Sequence, residues 1–253
     1  MLTFTEAQVL AWITPILWPF LRVLSLFGTM PVLAQRSVPM RVRVALSFLI
    51  AFCAQATLPT MPVVPLDSAV TLLVVLQQIV IGISLGFAIR IVFAAVEFAG
   101  EIIGLQMGLN FAGFFDPATG GQTTAMSRFF GVSVSWLFIV MGGHLLVIAG
   151  VVKSFESFPV GPEPFAFLRA VQPHLWGAEV FSLGLWIALP LVGILLFVNL
   201  VLGIISRVSQ QMNIFAIGFP ITLGVGLLGV LMTLPLMQLP FTMALERMLQ
   251  HFQ

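Results

Sequence analysis

Residues 68–105 read SAVTLLVVLQQIVIGISLGFAIRIVFAAVEFAGEIIGL, with charge only at Arg90, Glu97 and Glu101. The apolar residues run on without the every-second-residue alternation of a half-buried strand. The segment therefore reads as helix, nearly twice the roughly 20 residues that a bilayer crossing needs. In lipid only helices and closed barrels satisfy every backbone N–H and C=O, and the missing alternation excludes a barrel. The fold class that follows is an all-α integral membrane protein.

The rest of the chain has the same character. Of its 253 residues 8% are charged and 60% hydrophobic, with a mean hydropathy of +1.14, where soluble domains carry about 25% charged residues. Apolar stretches fall at 7–33, 44–58, 68–105, 125–152, 180–205 and 214–245. Their lengths are uneven: the second, at about 15 residues, is short for a crossing and the third is too long. Pro190 interrupts the fifth stretch and Pro220, Pro235 and Pro240 the sixth, so kinked or divided helices are expected there. The pattern predicts hairpins and broken helices packed against partner subunits, in a single membrane-embedded domain over 1–253; six ordinary spans with proline kinks is the alternative. Lipid then covers part of the surface.

Several function classes drop out. A net charge of +1 without a basic run offers nothing to nucleic acid. Cys53 is alone, and His144, His174 and His251 are scattered, so neither a disulfide, a metal site nor a cofactor motif is expected. Glu6 precedes any basic residue, the first of which is Arg22, and no small-residue cleavage site follows; the first helix is expected to be retained. GISLG at 82–86 matches the Gly-x-Ser-x-Gly nucleophile pattern, with His144 as a conceivable base for Ser84. The strand-turn-helix context it needs is missing, and no enzyme is expected. Energy coupling must then come from other chains.

Arg36, Arg41 and Arg43 favour the cytoplasmic side for the connection after the first stretch, whereas the loop 153–177 mixes Lys153 and Arg169 with Glu156 and Glu163 and adds no bias. The loop 153–177 carries Pro159, Pro162, Pro164 and Pro173 around Phe155, Phe158, Phe165 and Phe167, a composition suited to an extended segment on a partner or at the interface. Residues 106–124, QMGLNFAGFFDPATGGQTT, form a glycine-broken aromatic loop between apolar helices. Two readings stand: a gate whose Phe111, Phe114 and Phe115 face protein or a lumen, or a surface loop with its rings at headgroup level. Gly100, Gly104 and Gly108 recur every fourth residue as a face for close helix approach, bordered by Glu97 and Glu101. The carboxylates either line a pathway or serve as polar glue, and Gln77, Gln78, Arg128, Asn199 and Arg207 pose the same choice.

Residues 207–229, RVSQQMNIFAIGFPITLGVGLLG, hold a polar turn, then Asn213 and Phe215, then a Gly218-Phe219-Pro220 break into a glycine-rich helix. This segment resembles the FliR family of flagellar export proteins. So do GLNFAGFFDP at 108–117, FAGEIIGLQMG at 98–108, and the overall length and hydropathy. Family members often show Ala-Pro-Gln before the Met/Leu-Asn pair, where Ser209-Gln210-Gln211 stands here.

The resemblance implies a non-enzymatic subunit of a type III export gate in the bacterial inner membrane, at the flagellar basal body. It implies assembly with FliP and FliQ into a spiral around a pore, service by FlhB and FlhA, and unfolded flagellar proteins as substrates. Carried onto this chain, Phe111, Phe114 and Phe115 would close the lumen, Gly113 and Gly120 would let the plug move, and Asp116 with Pro117 would set its turn. Asn213, Phe215, Gly218 and Pro220 would pack between helices or subunits. A small-solute carrier is the competing reading, but the two corresponding halves it calls for are not visible.

Overall fold

The computed structural model describes residues 6–65, 68–109, 124–208 and 214–252. Among these every regular element is helical. The α-helices are α1 (Glu6–Thr29), α2 (Met40–Ala54), α3 (Ala69–Gln106), α4 (Ala125–Val140), α5 (Gly143–Ser157), α6 (Ala166–Val171), α7 (Gly177–Val208), α8 (Ile214–Thr233) and α9 (Gln238–Gln250). Short 3-10 turns at Pro173–Trp176 and Leu234–Met237 lead into α7 and α9. Four helical segments, Leu10–Thr29, Ala69–Gln106, Pro173–Val208 and Ile217–Gln250, are long and apolar enough to cross a membrane; the bent pair α4–α5 makes a fifth if counted as one span.

The breaks fall only partly where proline predicts. Helix α7 continues through Pro190 and α8 through Pro220, while Pro235 lies in the 3-10 turn that ends α8. Transmembrane helices tolerate a proline when neighbours or local 3-10 geometry take up the freed carbonyl. One break has no proline at all, the one between α4 and α5. There Met141 N–H closes α4 on the Leu137 carbonyl, and Gly142, at φ +70°, turns the chain before α5 starts. A side chain at that φ would be strained, which is why glycine stands there.

By contacts the chain forms two compact units, one of Met1–Ile91, Gly142–Gly177 and Leu245–Gln253, the other of Val92–Met141 and Ala178–Ala244. In the first, Trp18, Leu26, Ile81, Leu85, Phe155, Phe167 and Phe252 are buried. Gly82 and Gly86 of α3 face α1 so closely that a Cβ at either would collide, with the Arg22 carbonyl and Ser25 at one, with Thr29 and the Leu26 carbonyl at the other. Part of the Pro/Phe-rich loop folds back onto its own unit. Phe158 meets Phe167 edge-on at 4.9 Å, Phe167 stacks on Phe252 at 5.3 Å, and of the four phenylalanines only Phe165 is exposed.

In the second unit Phe93 packs edge-on against Phe138 (5.6 Å) and Phe241 (5.8 Å). Gly184 of α7 sits on the Ala95 carbonyl and Phe98. Burial is uneven among the long helices: the apolar window of α3 is 67% buried, that of Pro173–Val208 only 17% and that of Ile217–Gln250 22%. Helix α3 is therefore an interior helix of this single chain. Helices α7 and α8 leave most of their apolar surface for lipid or protein.

Candidate functional site

The loop at 110–123 lies outside the described residues, and with it Phe111, Gly113, Phe114, Phe115, Asp116, Pro117 and Gly120. Asn213 and the side chain of Phe215 lie outside them too. What the structure describes is the frame that holds the two ends of that loop, all of it within the second unit.

The frame is an antiparallel hairpin of α3 and α4. Gly100 faces the Met126 carbonyl and the Phe130 ring, where a Cβ would come within 2.9 Å of each. Three residues earlier Glu97 lies against Gly131, whose missing side chain leaves room for the carboxylate. Earlier still, Phe93 meets Phe138. As one number falls the other rises, which is the register of two helices running in opposite directions. The pairing closes toward Gln106 and Ala125, so the loop leaves and re-enters the same end of one hairpin.

Both ends are capped. Leu109 N–H donates to the Gly104 carbonyl (3.0 Å) and Gly108 N–H to the Leu105 carbonyl (3.1 Å), with Gly108 at φ +82°. This Schellman arrangement satisfies carbonyls that the helix end would leave bare. Gly108 thus lies beyond the last turn of α3 and ends the helix; it does not extend the Gly100 face, and buried Gly104 supplies the carbonyl that locks it. At the other end the Thr124 hydroxyl accepts from Ser127 N–H (3.2 Å) and caps α4.

A third helix fixes the departure point. Met107 is fully buried, and Gly226 of α8 faces its side chain so closely that a Cβ would overlap it. Thr222 Oγ1 is 3.4 Å from the Met107 carbonyl and 3.1 Å from the Gly218 carbonyl of its own helix. Gly218 makes an ordinary contact distance to Leu202, and Pro220 is exposed. Glu97 is half-buried, whereas Glu101, Arg90, Arg128, Asn199 and Arg207 are exposed on this chain.

A second polar constellation lies in the first unit, where the sequence points to Gln77 and Gln78 but not to their partner Arg22. Arg22 of α1 has no exposed surface. Its Nε donates to Gln78 Oε1 (2.8 Å), its Nη1 to the Ser154 carbonyl (2.8 Å) and hydroxyl (2.9 Å), and its Nη2 to the Phe158 carbonyl (3.0 Å). The guanidinium lies 3.6 Å above the centre of the Phe155 ring. Gln78 Nε2 donates to Gln77 Oε1, which also accepts from Gly161 N–H, while Gln77 Nε2 donates to the Pro159 carbonyl. Arg22, Gln78 and Gln77 thereby tie α1, α3, α5 and the proline-rich loop together, and every contact named is to a neutral group. Gln77 and Gln78 act here as glue. The signal was available: an arginine inside an apolar helix demands partners, and two adjacent glutamines in another helix supply them.

Ser84 of the GISLG segment is buried in uninterrupted helix, and His144 is exposed. Its flanking glycines, four apart, are the contact points for α1.

Comparison with known proteins identifies the family. The family model described as Bacterial export proteins, family 1, matches residues 13–248. The Flagellar biosynthetic protein FliR of Escherichia coli (strain K12) is 45% identical over 230 residues, covering 90% of this chain and 87% of its own. Its namesake in Pectobacterium carotovorum subsp. carotovorum is 40% identical over 239 residues, 93% of this chain and 90% of its own. The protein of the same name from Aquifex aeolicus (strain VF5) is 31% identical over 238 residues, with 94% and 89% covered.

Proposed function

The chain belongs to the bacterial export proteins, family 1, and from that premise we propose that it is a non-enzymatic subunit of the flagellar protein-export gate of a bacterial inner membrane. With FliP and FliQ it forms the pore through which unfolded flagellar proteins pass, and FlhB and FlhA serve that pore. The observation that carries the reading is the identity, sustained along almost the whole chain, to proteins named for flagellar biosynthesis. The sparse burial of α7 and α8 is compatible with assembly, since apolar surface is left there for sister subunits as well as for lipid.

In this reading the loop from Leu109 to Gln122 is the seal. Bulky rings at Phe111, Phe114 and Phe115 narrow a pore and dewet it, and Gly113 and Gly120 let the segment yield while its helices stay rigid. The hairpin frame suits such a part. Its ends are capped by the Gly108 turn and by Thr124, and Met107 is held by α8, so motion between them need not unwind α3 or α4. Deleting residues 110–120 tests the assignment. The assembled gate then conducts ions in a planar bilayer, and unchanged conductance in a properly assembled gate sinks the plug.

A further inference from the structure

Helices α1 and α2 leave a groove of about 500 Å³ between them, lined by Phe20 of α1 and by Met40, Arg41, Val44, Ala45 and Phe48 of α2. Among the described residues its walls are almost wholly apolar, and Arg41 is the single charged residue that lines it. Among the described residues no carboxylate lines it to neutralise that charge. Arg36 and Arg43 lie nearby in sequence. Arg43 spends Nη2 on the Gln35 carbonyl (2.8 Å), and its buried Nε has no hydrogen-bond partner. Helix α2 begins without a side-chain cap on Pro39 and without an acidic residue in its first turn, so its own N-terminal dipole adds to the positive potential there.

We propose that this groove binds an acidic phospholipid. One acyl chain lies along Phe20, Met40, Val44, Ala45 and Phe48, and the phosphate sits at Arg41 under the field of Arg36 and Arg43. The groove's chemistry has the polarity of such a molecule, an apolar slot with an arginine in its lining, two more close by in sequence and, among the described residues, no anion. The arginine cluster also marks the side of the membrane whose lipids carry negative charge. A zwitterionic lipid fits the slot but brings its own cation to the arginines, so the site discriminates by headgroup.

The test is native mass spectrometry of the full chain in detergent, titrated with phosphatidylglycerol or phosphatidylcholine of the same acyl composition. The wild type retains phosphatidylglycerol preferentially. Arg41→Gln weakens that retention about fivefold, the factor that about 1 kcal/mol per surface cation corresponds to, and Arg41→Lys restores most of it. Ala45→Phe fills the slot and lowers retention of both lipids. A thermal melt of each variant confirms that the fold is kept, and Arg41, exposed and at the helix start, is a mild position to change. Equal retention of the two lipids by the wild type overturns the proposal. So does an unchanged preference in Arg41→Gln, and so does a groove that takes up a second copy or another subunit while excluding lipid.

Discussion

Replacing Arg22 by alanine should destabilise the first unit by about 3 kcal/mol, and the figure follows from what each partner loses. Four hydrogen bonds end on this guanidinium. At the roughly 0.6 kcal/mol measured for polar contacts between membrane helices they set a value near 2.5 kcal/mol, and the ring contact with Phe155 adds about 1 kcal/mol or more. Removing the cation also removes the cost of burying it, which offsets part of that. Two of the acceptors are protected. The Ser154 carbonyl still receives Phe158 N–H (3.0 Å), and the Ser154 hydroxyl still donates to the Val151 carbonyl (2.6 Å). Gln78 Oε1 and the Phe158 carbonyl lose their guanidinium donor, at about 1–3 kcal/mol for a buried acceptor left bare. The assay is unfolding in mixed micelles with increasing denaturing detergent, followed by tryptophan emission. The two buried tryptophans, Trp18 and Trp176, both belong to this unit. Arg22→Met separates the contributions, since it fills more of the space and restores no hydrogen bond; its loss should be smaller than that of alanine but still above 1 kcal/mol. If Arg22→Ala unfolds within about 0.5 kcal/mol of the wild type, the network does not hold these helices together and the accounting is wrong.

Gly86→Val should cost about 3 kcal/mol or prevent folding, because its Cβ has nowhere to go against α1, whereas Gly203→Ala, with nothing within 4 Å, should leave the isolated chain as stable or up to about 1 kcal/mol more so; detergent unfolding of the two side by side reads the contrast. If Gly203→Ala blocks co-purification of FliP and FliQ while the chain stays folded, that face of α7 meets another subunit. Gly108→Ala forces a side chain into φ +82° and should cost about 1–2 kcal/mol, seen as faster hydrogen exchange at Leu109 and in the last turn of α3.

Helix existence was legible in this sequence because hydropathy over 20-residue windows reports the medium directly, and the apolar stretches each recur as helix within a few residues. Helix interruption was legible only in part, at Pro235, which falls in the 3-10 turn between α8 and α9. Proline counts as a breaker only when its freed carbonyl has no other partner, and in α7 and α8 the chain runs through Pro190 and Pro220 unbroken. The bend came at Gly142, which hydropathy cannot distinguish from the other glycines; what singles it out is a positive φ, a property of the backbone after folding. Gly108 shows the same limit. Its fourfold spacing from Gly100 and Gly104 reads as a helix face, yet the helix ends before it and the residue serves as a cap.

The glycines at 82 and 86 and the arginine at 22 share one cause for having been given no packing role by the sequence. A sequence motif assigns meaning to a residue by its neighbours in the chain, and these three act on a neighbour in space. GISLG resembles a nucleophile elbow only while the other helix is out of view. With α1 in place, both glycines lie under its backbone, and Ser84 between them is buried on the same helix. Close approach there matters to Arg22 itself: the carbonyl that packs onto Gly82 is Arg22's own, and the side chain of that residue reaches Gln78 one turn earlier on α3. A bulky residue at 82 would push α1 away and stretch the Arg22–Gln78 bond as well. Steric and polar losses then arise from one displacement, so Gly82→Val combined with Arg22→Met should destabilise by less than the two changes made separately. Strict additivity in that double-mutant cycle would mean that the glycine contact and the buried guanidinium hold α1 independently, contrary to their geometry.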